Sequence, residues 1–554
     1  MRVHRSWVWS AALVASLCAA PAQAASHPAG VTYPLKPAVV QPSGLAQPLP
    51  SSRRYVLVWK DQLIPDSYTP AQVDWVVGHY VGTQKLFQKQ IDDYRKKNPN
   101  FLILTYHLAY GLNGADQSTP VGNITGANKY GQEDTDSFTP WVTGHNVSRE
   151  AMYQHTVASG GTLANRVAYP DPYWLMDLSS ADFRSYMAET LLSWMAFPTT
   201  KATGVFFDVG FFPWYAYTPA TWWSAVAGGG ARSDLLAFWN PRAKAYFDAL
   251  RVAFAPQNGH PRYLVVPNVD AMVDGTDEPA FLDGTDGAFT ENWQTAMANP
   301  GDWNLSARRI CKYATSNGKL WMADVTKTAS TLTQAERELI LGTFLLLRNG
   351  TSYLMLGNSD LSWYPEYELD LGAYANEPPA DLEALRIGGA GGSAGGLYAR
   401  PHAAGVVLVN SSAAALPYTN PTAMKQAEWS GGGAIDGSAT MAPQTLTYAK
   451  DVPAGTVSVP ARSVIILRSP AGAPPPGEEP GGTTGGDGGV PGPDGGTVYD
   501  GGPVDDSGTG GNGATGDSSG CSCRVANEES PAGSMGLAVL TLFLLRRRRL
   551  TRSE

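Results

Sequence analysis

The sequence predicts an α/β protein, a (β/α)8 TIM barrel followed by a small antiparallel β-sandwich domain. Three observations carry that expectation. Short apolar runs alternate with helical patterns over most of the first 385 residues, as βα units require. Two of the runs, Gly204-Val205-Phe206-Phe207-Asp208 and Gly287-Ala288-Phe289-Thr290-Glu291, end in an acid. After about Leu385 helical patterns give way to short β-runs separated by Gly, Pro and Ser.

In order, the eight strands are read at 55–59, 75–81, 101–107, 204–210, 262–269, 287–293, 320–326 and 351–357. Buried parallel strands are apolar on both faces, which these runs are. Between them, Ser180 opens a helix with Phe183, Met187, Leu191 and Trp194 on one face. Thr333-Gln334-Ala335-Glu336 has the form of a capping box before the apolar stretch 339–347. The connection from the third strand to the fourth, Gly111 to about Pro172, is long, polar and Gly-rich, with Trp141 and His145 inside it. Such a loop is expected to form one wall of a cleft. The β-runs 397–400, 405–410, 445–448 and 463–467 make up the second domain.

The expected organisation is a signal peptide at 1–24, the barrel at 50–385, the β-domain at 386–470, a disordered Gly/Pro/Asp-rich linker at 471–520 and a C-terminal sorting segment at 521–554. Arg2 and Arg5 precede an apolar run that closes on Ala22-Gln23-Ala24, a small-x-small cleavage site. The linker is almost free of apolar residues, so it has nothing to bury. Behind it come Cys521-Ser522-Cys523, a short apolar run and Arg546-Arg547-Arg548-Arg549. That run is shorter than the roughly 20 residues of a membrane span. The order Cys, apolar run, Arg cluster resembles the MYXO-CTERM sorting signals of myxobacterial surface proteins. The resemblance implies attachment to the cell envelope, with processing machinery acting at Cys521 or Cys523. The expected location is the surface or outer envelope of a Gram-negative bacterium, with extracellular release as the alternative.

Composition narrows the function classes. Charged residues are 16% of the chain, against about 25% in an ordinary soluble domain, while Trp numbers 16 and Tyr 25. Weakly charged aromatic surfaces suit carbohydrate, whose C–H faces stack on rings. A net charge of −9 argues against a nucleic-acid partner. The 8 His include no His-x-His or His-Glu-x-x-His pair, so no metal is expected, and no Gly-rich fingerprint in a βα context calls for a cofactor. Of the 4 Cys only Cys311 lies in the folded body, so packing and not disulfides must hold the core.

The chemistry is expected at the C-terminal ends of the strands. An acid closing a buried apolar run is not there for packing. Asp208 on the fourth strand and Glu291 on the sixth supply the two carboxylates that glycoside hydrolysis needs. Asp208 is read as nucleophile or base. Glu291 is read as proton donor, a role requiring a raised pKa. Asp324 ends the seventh strand and rivals Glu291, with Asp270 a weaker rival. His107, Asn268 and Asn358 at strand ends are candidates for binding sugar hydroxyls, and Trp59, Trp214, Tyr215 and Trp293 for stacking on sugar rings.

Trp174-Leu175-Met176-Asp177-Leu178-Ser179, a helix, and then the Asp208 strand resemble the middle of barrels in the families labelled hypothetical glycosyl hydrolases. The runs 398–400 and 405–410 are similar to the β-domain that follows such barrels. The resemblance spans roughly residues 55–467. It implies hydrolysis of a glycosidic bond in a polysaccharide or oligosaccharide, a nucleophile at the Asp208 position, and retention of anomeric configuration over inversion. The reading from another class is a non-catalytic carbohydrate-binding surface protein on a degenerate barrel, which would not need both acids within reach of one bond.

Overall fold

Glycine opens alternate strands because the next strand leaves no room for a side chain. A Cβ at Gly204 would lie 2.5 Å from Leu264, and one at Gly287 would lie 2.6 Å from the Leu320 carbonyl oxygen. The parallel strands are β1 (Leu57–Val58), β2 (Gly82–Gln84), β3 (Leu102–Leu108), β4 (Gly204–Asp208), β5 (Leu264–Pro267), β6 (Gly287–Thr290), β7 (Leu320–Val325) and β8 (Ser352–Leu356). They form two four-stranded sheets, β2-β3-β4-β5 and β1-β8-β7-β6. Bonds also run between the sheets. The Val81 amide donates to the Val58 carbonyl at 2.8 Å, and Asn268 pairs with Phe289 in a parallel bridge. The computed structural model describes residues 25–26 and 42–470, apart from 87, 114–133, 157–160, 163–164, 168–172, 196–201, 209, 211–231, 257–259, 271–278, 329, 358–360 and 375. The expected signal peptide, linker and sorting segment therefore lie outside the described residues, as do Trp214, Tyr215 and Asn358.

Helices α1 (Pro70–His79), α2 (Gln88–Lys97), α3 (Ala181–Met195), α4 (Arg232–Ala253), α5 (Pro300–Tyr313) and α6 (Gln334–Leu347) connect the strands. Seven of the eight expected strands fall where the sequence put them. The second does not: 75–81 is mostly α1, and the strand is Gly82–Gln84. Thr69-Pro70-Ala71-Gln72 explains it. The Thr69 hydroxyl accepts from the Gln72 amide, the Gln72 side chain accepts from the Thr69 amide, and Pro70 takes the first helical position. That start signal outranks the β-rich composition of Val76-Val77 and Tyr80-Val81. The capping box at Thr333 forms as expected.

Side chains divide by strand face. One set of alternate residues (Trp59, Leu104, Tyr106, Phe206, Val266, Phe289, Met322, Tyr353 and Met355 among them) packs into a cluster of its own. The other set faces the helices: Ile103, Val205, Phe207, Val265, Trp321 and Leu354 meet Phe183, Tyr246, Ile310 and Phe344. The alternation is the period-2 pleat of a strand.

The second half of the fold is antiparallel. Its strands are β9 (Arg386–Gly388), β10 (Leu397–His402), β11 (Gly405–Asn410), β12 (Leu416–Asn420), β13 (Met424–Gly431), β14 (Gln444–Val452), β15 (Gly455–Val459) and β16 (Ser463–Arg468). Six form one sheet in the order β9-β10-β11-β16-β13-β14, and β12 pairs with β15 in another. Helix α6 is buried almost all round because it lies between the parallel strands and this sheet. The contact is close: a Cβ at Gly342 would lie 2.4 Å from Val464. Arg400, on β10, donates to the Leu345, Leu346 and Arg348 carbonyls at 3.1, 3.2 and 2.6 Å, capping the C-terminal end of α6 with a buried cation.

Candidate active site

Within the strand face that carries the separate cluster, apolar residues give way to polar ones at the C-terminal ends. On β4, Phe206 is followed two positions on by Asp208. Past β5, Val266 is followed by Asn268, past β6 Phe289 by Glu291, and on β7 Met322 by Asp324. A spacing of two keeps each pair on one side of its strand. The register sets Ala323 against Thr290, which makes Asp324 the neighbour of Glu291.

Asn268 holds the centre. Its amide nitrogen donates to Asp208 Oδ1 at 3.0 Å and to Glu291 Oε2 at 2.6 Å. Its own oxygen accepts from the Asp270 amide at 3.0 Å, which fixes which way the amide points. Two bonds from one nitrogen keep the two nearest carboxylate oxygens within about 5.6 Å of each other. Asp208 Oδ2 accepts a second bond, from the Tyr106 hydroxyl at 2.6 Å.

The electrostatics separate the acids. Burial, reinforced by the Asp208 charge, pushes the Glu291 carboxyl up to about 8, although Lys85 and Asn268 pull the other way. Burial, with Glu291 and Asp61 nearby, raises Asp324 well above the usual carboxylate range. Its Oδ1 is buried with no hydrogen-bond partner among the described residues. Lys85 is the counter-charge: burial alone would lower its pKa, but Asp61, Asp208 and Glu291 together raise it.

These acids sit in hydrolase company. Residues 95–406, more than half of the chain, match hypothetical glycosyl hydrolase family 15. The chain belongs to this family. No curated protein matches it. Among solved structures it is similar to a noncanonic maltogenic α-amylase from Thermotoga neapolitana (10% identity, 74% of this chain and 98% of that one, TM-score 0.36). It is also similar to a mutant trehalulose synthase (8%, 74% and 98%, 0.40) and to an α-galactosidase from Geobacillus stearothermophilus (8%, 76% and 56%, 0.37). Likenesses this distant carry no argument about substrate.

In this family member the residues expected at the site do not all converge. Asp208, Asn268, Glu291 and Asp324 do. His107 points to the helix side: Nδ1 lies 2.6 Å from the Leu108 carbonyl and its ring lies near Trp194 on α3. Trp293 also faces the helices, fully buried, edge-on to Trp321 and donating to Ser306 at 3.3 Å. Trp59 lies on the site's face but is buried edge-on against Phe289, leaving no ring face for a sugar. In the long third connection, Trp141 donates to Glu189 on α3 at 2.7 Å, so this part covers a helix and not the acids.

Four residues were not expected. Tyr106 donates to Asp208. Asp61, two residues past Trp59, accepts from Gln84 Nε2 at 2.8 Å and lies 3.4 Å from Lys85 Nζ. Lys85 in turn lies 4.9 Å from the Tyr106 ring centroid. A signal for Asp61 existed, the apolar-then-acid alternation Leu57-x-Trp59-x-Asp61. Gln84 and Lys85 were hidden by the misplaced second strand.

Proposed function

We propose that this chain hydrolyses a glycosidic bond of an oligosaccharide or polysaccharide by a retaining mechanism, with Asp208 as nucleophile and Glu291 as proton donor. The observation that carries the reading is the single Asn268 amide bonded to both acids. A carboxylate separation of about 5–5.5 Å leaves no space for a water between sugar and base, whereas inversion needs about 6.5 Å or more. In the first step Asp208 attacks the anomeric carbon while Glu291 gives its proton to the departing oxygen. In the second, Glu291, now charged, takes a proton from the water that releases the sugar. A donor must be protonated at working pH, which the raised Glu291 carboxyl supports. Tyr106 and Asn268 orient Asp208.

The same proposal includes closure of the eight parallel strands into a (β/α)8 barrel, which the bonds between the two sheets support. The antiparallel sheets would form a sandwich beside it, and the termini would export the protein and tether it to the envelope. The carbohydrate-binding reading without catalysis is not favoured, because it does not call for two acids sharing one amide.

The test is release of reducing sugar by the purified protein from a panel of bacterial and plant polysaccharides, with Asp208→Asn and Glu291→Gln alongside. Release that both substitutions abolish supports the reading, and an NMR record of the first-formed anomer then decides retention. Release that survives both overturns it.

A further inference from the structure

Beside the Asp208–Glu291 pair, on the β1, β2 and β7 side of the site, several buried polar atoms are left without work. Asp324 is 2% exposed and its Oδ1 has no partner among the described residues. The same holds for Gln84 Oε1 and Trp59 Nε1, on residues each 1% exposed. Lys85, 7% exposed, makes one long hydrogen bond, 3.4 Å to Asp61, and lies over the Tyr106 ring at 4.9 Å, with an ammonium that carries three N–H donors. Buried polar groups are paired in the great majority of cases, so a group of orphans on one side of one site marks a place where something else supplies the partners. The orphans include both donors and acceptors, and a sugar hydroxyl is both.

The backbone agrees. Lys85 and Gln62 have φ of 60° and 50°, in the left-handed region that side-chain-bearing residues rarely occupy. Both flank Asp61 at the ends of β1 and β2. Strain of this kind persists where the surroundings enforce it and collects at binding sites. Gln84 and Lys85 between them hold both oxygens of Asp61, so this acid is a placed acceptor.

Charge limits what can enter. Asp61, Asp208, Glu291 and Asp324 surround the site, and Lys85 is the cation among them. The Lys60 ammonium is taken up by the Leu356 and Gly357 carbonyls and Ser362. Among the described residues, a carboxylate or sulfate on the sugar would have Lys85 alone to receive it, and Lys85 already faces Asp61, Asp208 and Glu291.

We propose that Asp61, Lys85 and Asp324 form a hydroxyl-binding subsite that takes an uncharged sugar ring beside the catalytic pair. Asp61 accepts from one hydroxyl, Lys85 donates to its neighbour, and Asp324, in its neutral form, exchanges a hydrogen bond with a third. This rests on the reading of Asp208 and Glu291 only for its place in the reaction, and the test below reads binding and not hydrolysis.

The experiment is saturation-transfer NMR titration of the full chain with D-glucose, D-galactose and D-mannose, and with D-glucuronate, D-galacturonate and D-mannuronate. At least one neutral sugar should bind, with its matching uronate tenfold or more weaker. Asp61→Asn, Lys85→Met and Asp324→Ala should each weaken that neutral sugar about tenfold, with circular dichroism confirming the fold. The neutral-against-uronate comparison needs no variant, so it stands if a substitution unfolds the chain. A uronate bound as tightly as its neutral parent, no neutral sugar bound at all, or folded variants that bind like the parent would each overturn the subsite. Loss of hydrolysis in Asp208→Asn with no effect of the three substitutions on binding would leave the reaction standing and remove this inference alone.

Discussion

Two places in this protein crowd like charges in the interior, and they resolve the problem in opposite ways. Between α6 and the antiparallel sheet, Arg53, Arg348 and Arg400 gather round Tyr374, with Arg400 3.9 Å from its ring centroid. At the strand ends Asp61, Asp208, Glu291 and Asp324 gather round Lys85. A guanidinium cannot shed its charge, so each arginine is anchored. Arg400 holds α6 carbonyls, Arg348 holds the Arg53, Arg54 and Tyr55 carbonyls, and Arg53 pairs with Glu377 at 2.8 Å. A carboxyl can take up a proton, and Glu291 and Asp324 are pushed that way. The first arrangement is a fixed seam. The second can change state, which is what proton transfer requires.

The comparison is sharpest where substitution separates activity from stability. Asp208→Asn should abolish turnover without lowering the urea midpoint, since it relieves like-charge crowding and keeps a side chain of the same shape. A midpoint well below that of the parent would break the contrast. Glu291→Gln should cut kcat by about 10²- to 10⁴-fold, the contribution of a placed general acid, measured on whichever polysaccharide the parent hydrolyses.

At the seam the effects reverse. Arg400→Ala leaves the buried carbonyls of Leu345 and Leu346 in α6, and of Arg348 just past it, without their charged donor, and should cost about 3 kcal/mol of stability. Urea unfolding would show it, while kcat of the folded fraction stays at the parent value.

Acidity gives a further separation. The Glu291 carboxyl lies at about 8 in the folded chain against an ordinary 4.5, so folding favours its protonated form. Its stabilising contribution is full below pH 4.5 and is lost as pH rises through about 8. The urea midpoint should therefore decline from about pH 4.5 to about pH 8 and then level off, while kcat should fall as pH passes about 8. Glu291→Gln should flatten the stability curve, and an unchanged slope would show that another group titrates. The smallest effect expected is that of Thr333→Ala, which removes the exposed cap of α6 and should cost about 1 kcal/mol with no change in pH dependence.

Much of this could be read from the chain. Asp208 and Glu291 stood out because each closes an apolar run, and burial of the run makes the acid conspicuous. What could not be read was sideways. Tyr106 looks like one more aromatic in Leu104-Thr105-Tyr106-His107 until β4 is laid beside β3 and its hydroxyl meets Asp208. His107 and Trp293 were placed on the wrong face for the same reason: strand ends give position, but only the pleat gives direction. Asp61 follows the alternation Leu57-x-Trp59-x-Asp61 but lies past the end of the two-residue β1, and Lys85 lies just past the three-residue β2, which is too short to show a period.

The Asn268 side chain has one more use. Its amide nitrogen carries two protons, and each is directed at a different acid. In a nitrogen–proton correlation spectrum that single group would give a pair of peaks, one sensing Asp208 and the other Glu291. The chain thus contains its own reporter, able to show in one titration which carboxyl gains its proton first.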